Sequence, residues 1–469
     1  MKLYQGLIMT LVMTFSFILL PETGISESQG LKNTDKHYSF ILNNSNDTHV
    51  VAENIEKIYP NIKLNVIEEI GIVTVDLTEV EDAQNKIEEI YHEIGSFVDG
   101  KGEMPDLMEP DNPIHIQKNQ IENYSNLSIG TSTFTSQNML ALPELHSEYF
   151  APFNWYLNDV TNNHKAFDFV NDSDHSTIAL IDSGIDTDHP LLKSQINLEL
   201  AKNYVDNSSN INDEQGHGTQ VAGIIASISP NSEITPYKVL GTGSGESTWV
   251  IEAIVDAAKD GNDVINLSLG TYLSKTDEED KLLIKAYDKA IKFAKKEGAI
   301  VVASVGNSSF DLDELKQTNE FHLPGGSHHL ITVSSNGKED KTTSYSNFGK
   351  EVDFSAPGGD LGPNFDFSEM IITTYPSGGP NTYLDQMIGI PQGFTLSMGT
   401  SLATPQVSAA AAMVISEYRE IYNKELNINQ VKKYLKNGSI DIGEKGKDIY
   451  FGEGKLNIYN SLKNIQKNK

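Results

Sequence analysis

Residues 177–190 read TIALIDSGIDTDHP. The apolar run Ile178 to Ile181 opens on Thr177, stops at Asp182 and is followed by Gly184. A short aliphatic run bounded by turn-forming residues is the pattern of a strand buried on both faces. Similar runs recur at 232–240 (SEITPYKVL), 263–270 (DVINLSLG), 299–307 (AIVVASVGN) and 330–335 (LITVSS). Helical segments stand between several of them, notably 247–261 (STWVIEAIVDAAKDG) and 278–298 (EEDKLLIKAYDKAIKFAKKEG). Buried strands alternating with helices predict an α/β fold, a parallel sheet with helices on both faces. Two more helices are expected around 401–423 and 428–436, and the Gly- and Pro-rich stretch 360–392 reads as a long surface insertion.

Upstream the texture differs. Residues 37–98 predict a small α+β unit in the order strand, helix, strand, strand, helix, with Ile87, Ile90, Tyr91 and Ile94 on one helical face. Residues 99–150, with Pro105, Pro110, Pro113 and many Asn, Ser and Thr, read as a linker that holds a processing site. Residues 1–26 carry Lys2, an apolar run from Leu7 to Leu20, Pro21 and the small Gly24 and Ser26, the three-part pattern of a secretory signal. That run falls short of the roughly 20 residues a spanning helix needs. No second run of that kind follows, so the expectation is a released, extracellular protein without a membrane anchor. The predicted divisions are 1–26 signal, 27–98 N-terminal unit, 99–150 linker and 151–469 main domain.

The chain has 35 Lys plus Arg against 65 Asp plus Glu, a formal net charge of −30. Such a surface repels phosphates and argues against a nucleic-acid partner. There is no cysteine, which removes disulfides, thiolate metal sites and a thiol nucleophile from consideration. A nucleophile in this chain is a hydroxyl, a carboxylate or an amine.

Three segments then matter together. Asp182 ends the first strand, His217 stands between two glycines in GHGTQVAGIIA (216–226), and Ser401 opens the small-residue helix of GTSLATPQVSAAAAMV (399–414). Taken singly, each reads as a cap or turn residue. Taken together, they supply a hydroxyl nucleophile, the base it needs and the carboxylate that orients that base. The chain order Asp, His, Ser is one of the known orders of this constellation. The glycines around His217 permit close backbone approach. Asn307, ending the buried strand AIVVASVGN, is the expected side-chain donor to an oxyanion, with the Ser401 backbone N–H beside it.

DSGID, HGTQVAG and GTSLATP, with SVGN at 304–307, resemble the signature segments of the subtilisin family of serine proteases over about residues 151–460. The resemblance implies a subtilisin-like, seven-stranded parallel sheet and a serine endopeptidase that needs no cofactor for its chemistry. It implies a peptide substrate bound as a strand between two backbone edges, Gly243–Ser244–Gly245 and Ser268–Leu269–Gly270. The N-terminal unit is similar to the family's propeptides, which template folding and inhibit, so the chain's own propeptide is an expected partner and the enzyme an expected monomer.

Family members often hold calcium through an acid just after the DSGIDxxHP segment and a loop after HGTxVAG; here Leu191 takes the first position and 226–240 is too short for the second. That site is expected to be missing, while other calcium sites stay open. EYFAPFNWYLNDVTNNHKAF (148–167) and the overall layout resemble the lantibiotic leader peptidases, which typically cut after Arg. An Arg-selective pocket needs a carboxylate at its base, and Asp311, Asp313 and Glu314 are the candidates. Yet the chain holds a single arginine, Arg419, inside the main domain, so its own maturation cannot use an Arg junction. The alternatives are a broad-specificity extracellular subtilase and an inert binding relative; the intact Asp, His, Ser and Asn set argues against the last.

Overall fold

The structure, a computed structural model, describes residues 37–78, 80–102, 104, 109–110, 144–169, 176–362 and 365–467. The expected signal segment and most of the expected linker lie outside the described residues.

The N-terminal unit runs β1 (His37–Leu42), α1 (Thr48–Ile58), β2 (Lys63–Ile67), β3 (Ile72–Asp76), α2 (Ala83–Ile94) and β4 (Val98–Gly102). Its four strands form one sheet in the order β2-β3-β1-β4. The unit extends past its expected end at residue 98 into β4, which pairs antiparallel with β1. With two glycines and two charges in VDGKG, this edge strand carries no apolar signal.

The main domain holds a seven-stranded sheet. Its strands are β6 (Thr177–Asp182), β7 (Lys202–Asn203), β8 (Glu233–Lys238), β9 (Val264–Leu267), β11 (Ile300–Ser304), β13 (Ile331–Asn336) and β14 (Phe354–Pro357). The order is β14-β13-β11-β9-β6-β8-β7, and every pairing is parallel. Alternate residues face opposite cores, as a pleated strand requires. Ile178 and Leu180 join one core with α4 (His217–Ile228) and α9 (Thr400–Tyr422). Ala179 and Ile181 join the other with α5 (Ser247–Lys259) and α6 (Glu278–Glu297). From β6 the chain runs to β7 at the sheet edge, fills in β8 beside β6, then crosses to add β9 on the opposite flank, so β6 and β9 bracket a topological switch point. Ligand crevices open at the carboxyl ends of strands at such points.

Two expected boundaries shift. Leu145, Phe150 and Phe153 are buried in the main core, so the domain's packing begins before residue 151. The 360–392 stretch is not wholly a surface insertion: β15 (Ile371–Thr374) is fully buried and pairs antiparallel with β16 (Phe394–Ser397). The Trp155 indole, on α3 (Trp155–Thr161), donates to the Met370 carbonyl at 3.1 Å and ties the hairpin to this helix. Two short helices, α7 (Leu312–Gln317) and α8 (Tyr383–Ile388), punctuate the loops, and α10 (Ile428–Gly438) and α11 (Ile458–Gln466) close the chain.

The small sheet lies against α5 and α6. Ile41, Ile67, Ile70 and Ile72 are buried in the same cluster as Val250, Leu283 and Tyr287. Lys289 on α6 donates to the Leu42 and Ile70 carbonyls at 3.2 and 2.9 Å. Ion pairs Lys259–Glu69 and Lys285–Asp99 flank this contact.

Candidate active site

Asp182, at the carboxyl end of β6, is fully buried; its Oδ1 is 2.7 Å from His217 Nδ1 and accepts from the Ser183 N–H at 2.7 Å. His217 is the first residue of α4. Its flanking glycines have separate reasons. Gly216 sits at φ 97°, in the left-handed region, and a Cβ there would lie 2.5 Å from the Tyr375 ring. A Cβ on Gly218 would lie 2.0 Å from the Gly184 carbonyl oxygen. The close approach lets the Gly218 N–H donate to Ser183 Oγ at 2.9 Å, fixing the helix start beside Asp182.

Ser401 lies in the first turn of α9, which packs against α4, and Pro405 lies inside the same helix. Proline has no N–H to offer the Ser401 carbonyl four residues back, and that carbonyl accepts from Ser268 Oγ instead. The Ser401 Oγ is buried and makes no hydrogen bond to another group among the described residues. A buried polar chain holds this helix to the sheet: Ser408 Oγ donates to Asn266 Oδ1 (2.8 Å), Asn266 Nδ2 to Ser268 Oγ (3.1 Å), and Ser268 Oγ to the Ser401 carbonyl (2.9 Å). Asn307 Oδ1 accepts from the Thr400 N–H (3.0 Å) and hydroxyl (2.8 Å). With its oxygen so anchored, the amide turns its Nδ2 donor to the opposite side.

The Ser268–Leu269–Gly270 edge carries a strand. β10 (Leu269–Ser274) pairs antiparallel with β12 (Glu320–Leu323) on one side and with β5 (Glu109–Pro110) on the other. Pro110 lies opposite Leu269 and Glu109 opposite Gly270. A piece of the chain's own linker therefore occupies the edge expected to receive substrate. On the other expected edge, Gly243 and Ser244 are exposed, Gly245 is buried, and the Gly243 carbonyl accepts from Gln215 Nε2 at 3.0 Å.

The sequence profile of the subtilase family matches residues 173–454. This chain belongs to the subtilase family of serine proteases. The subtilase is 32% identical over 354 residues to the epidermin leader peptide-processing serine protease EpiP of Staphylococcus epidermidis, covering 66% of this chain and 74% of that one. It is similar to the crystal structure of a lanthipeptide protease at 42% identity and TM-score 0.65, covering 68% of this chain and 96% of that one. An EpiP structure from Staphylococcus aureus, 24% identical, shares the fold at TM-score 0.70 over 91% of this chain and 98% of its own.

The acids expected at the pocket floor lie at the N-terminus of α7. Asp311 caps α7, its Oδ1 accepting from the Asp313 and Glu314 N–H groups at 2.8 and 3.4 Å. Asp313 pairs with Lys350 at 3.4 Å and accepts from the Lys350 N–H. Of these carboxylates, which follow Asn307 in sequence, Asp311 is engaged by the orphan N–H groups of the helix N-terminus. Leu191 packs apolar against the main core and offers no oxygen ligand, so the first position of the usual calcium site does not fit that ion.

Two residues of the subtilase site escaped the sequence reading. Asp213 is buried beneath the start of α4 and accepts from the Gly216 N–H (2.7 Å), the Thr219 N–H (2.8 Å) and hydroxyl (2.7 Å), and Ser183 Oγ (2.9 Å). Burial pushes its carboxyl pKa up, and these donors pull it back. The spacing DEQGH, an acid four residues before the histidine, was the available signal. Asn347 Oδ1 accepts from the Ser308 and Phe310 N–H groups at 3.1 and 2.9 Å, and its Nδ2 donates to the Val305 carbonyl at 2.8 Å. It clamps both sides of the Gly306–Asn307 turn.

Proposed function

We propose that the protein is a secreted serine endopeptidase that cleaves peptide bonds through an acyl-enzyme on Ser401 and removes the leader from a lantibiotic precursor. The observation that carries the chemistry is the buried 2.7 Å contact of His217 Nδ1 with Asp182 Oδ1, at a helix start packed beside the one bearing Ser401. Asp182 accepts from Nδ1–H, which leaves Nε2 basic toward the Ser401 hydroxyl. As Ser401 Oγ attacks the substrate carbonyl, Nε2 takes its proton. The oxygen turned negative is met by Asn307 Nδ2 and the Ser401 N–H. The imidazolium then gives its proton to the leaving amine, and water repeats the sequence to release the acid.

The leader-peptidase reading draws on the similarity to EpiP and to the lanthipeptide protease. Residues 27–102 are the propeptide in this reading, and β5 on the Leu269–Gly270 edge supports a self-inhibited precursor. A fluorophosphonate probe tests the chemistry: labelling that disappears in Ser401→Ala is expected, and no labelling of the wild type refutes it. Incubation with a modified precursor peptide and with casein tests the substrate. One cut at the leader junction and slow casein turnover are expected; rapid, scattered cutting of both identifies a broad-specificity subtilase instead.

A further inference from the structure

A substrate that replaces β5 on the Leu269–Gly270 edge, with its scissile carbonyl at Ser401 and Asn307, sends the side chain of its cleaved residue (P1) past two glycines. These are Gly270 on β10 and Gly306 beside Asn307. Neither has a Cβ, and the same group stands behind both. A Cβ built on Gly270 would meet His322 Nε2 at 2.4 Å, and one built on Gly306 would meet the same nitrogen at 2.9 Å. His322 is 1% exposed and sits on β12, the strand paired with β10 on the side away from β5. Its ring is held against Tyr272, with centroids 4.9 Å apart, and the Tyr272 hydroxyl accepts from Asn347 Nδ2 at 2.8 Å. A Cβ on Gly325 would lie 3.2 Å from Nδ1 and 1.9 Å from the Ser304 carbonyl oxygen, so the backbone closes tightly behind the ring. A buried imidazole edge thus stands directly behind both glycines.

We infer that His322 is the floor of the P1 pocket and that the enzyme selects an acidic residue, Glu or Asp, at P1. The inference rests on the proteolytic reading and deepens it. An imidazole N–H donates to a carboxylate, and hydrogen bonds to an ionised acceptor are about twice as strong as neutral ones. A guanidinium is a donor only and would meet a donor. The carboxylates that an Arg-selective pocket required, Asp311 and Asp313, cap α7 and pair with Lys350. The chain's own sequence points the same way. Its single arginine is fixed in the main domain, Arg419 pairing with Asp263 (2.5 Å) and Glu425 (2.8 Å). The segment that pairs with the edge comes from the acidic sequence MEPD, residues 108–111, with Glu109 opposite Gly270.

The test uses the full chain after its own maturation, with competent sites counted by fluorophosphonate reaction at Ser401. A denatured protein mixture is digested and the cut sites read by mass spectrometry. Peptides differing only at P1 (Glu, Gln, Leu, Arg) are then compared by kcat/KM. Glu and Asp are expected to dominate the cut sites, and Glu to exceed Gln by about 10- to 100-fold. In His322→Gly that ratio falls to near one and large apolar P1 residues gain. His322→Gln replaces the ring with an amide that can both donate and accept, so it serves a Gln side chain as well as a Glu one, and it lowers the Glu over Gln ratio even if the glycine variant fails to fold. Dominance of Arg, aromatic or small residues at P1 in the wild type overturns the inference, as does an unchanged Glu over Gln ratio in His322→Gln. A labelled enzyme that cuts after no acidic residue also overturns it. Absence of labelling refutes the proteolytic reading instead.

Discussion

Asn307→Asp isolates one donor from everything else the residue does. The Asn307 oxygen accepts two bonds from Thr400, at 3.0 and 2.8 Å, and an aspartate at this position keeps both. What it loses is the Nδ2 donor on the other side, replaced by a second carboxylate oxygen. Removing one such donor generally costs about 10²–10³ in kcat, roughly 3–4 kcal/mol. The negative oxygen adds repulsion against the developing oxyanion, so the expected loss is at or above the upper end, about 10³. Because the oxyanion exists only along the reaction path, the loss falls on kcat while KM stays within about twofold. Asn307→Ala loses the donor and also both Thr400 bonds, so it should add a drop in melting temperature that Asn307→Asp lacks. The assay is steady-state kinetics on protein titrated for competent Ser401, paired with thermal unfolding. A loss under tenfold in kcat, or one carried by KM, refutes the placement of Asn307 as the oxyanion donor.

Asp213→Ala should lower unfolding free energy by roughly 2–4 kcal/mol, because several buried donors lose their acceptor at once; denaturant titration measures it. The same variant should reduce kcat, since the start of α4 carries His217, and unchanged kcat would show that Asp213 is structural only. His189 and His146 are held neutral: burial lowers both pKa values, and His189 donates from Nε2 to the Gly393 carbonyl at 2.9 Å while Nδ1 accepts from the Leu191 N–H. The unfolded chain binds more protons below its ordinary histidine pKa of about 6.5, so this stability is complete above that pH and is lost as pH falls toward the lowered folded values. Urea midpoints at pH 7.5 and 5.5 should therefore differ, and His189→Gln should flatten the difference. Lys289→Met keeps the apolar stem but removes two charge-assisted bonds to the N-terminal unit. Discounted for half-exposure, the loss is about 1–3 kcal/mol, read as faster appearance of activity after the linker is cut.

The sheet was legible because parallel strands buried on both faces are plain apolar runs, and TIALID and AIVVAS are such runs. The segments holding Asp182, His217, Ser401 and Asn307 were legible because each carries glycines or small residues that the packing demands. The rest failed for identifiable reasons. β4 is a charged, glycine-containing edge strand. β15 contributes only two aliphatic residues, Ile371 and Ile372, and its burial comes from α3 and β16, which sequence spacing does not connect. The helix α11 lies beyond the expected last helix and is short and polar in composition. Nearness to Asn307 along the chain could not tell that Asp311 caps α7 and that Asp313 pairs with Lys350. His322 is separated from both glycines it backs by many residues, and only β10–β12 pairing brings it there.

The pairing of β5 with β10 also bears on what a cut in the linker would do. While the linker strand is present, β10 is an interior strand of its three-stranded sheet. Once it leaves, β10 becomes a margin whose backbone N–H and C=O groups face outward, ready to template any extended chain. A chain cut in the linker, as proposed above, thus exchanges a closed border for an adhesive one. Concentrated stocks should lose activity by mutual digestion or edge pairing, and a peptide seated on β10 should preserve them.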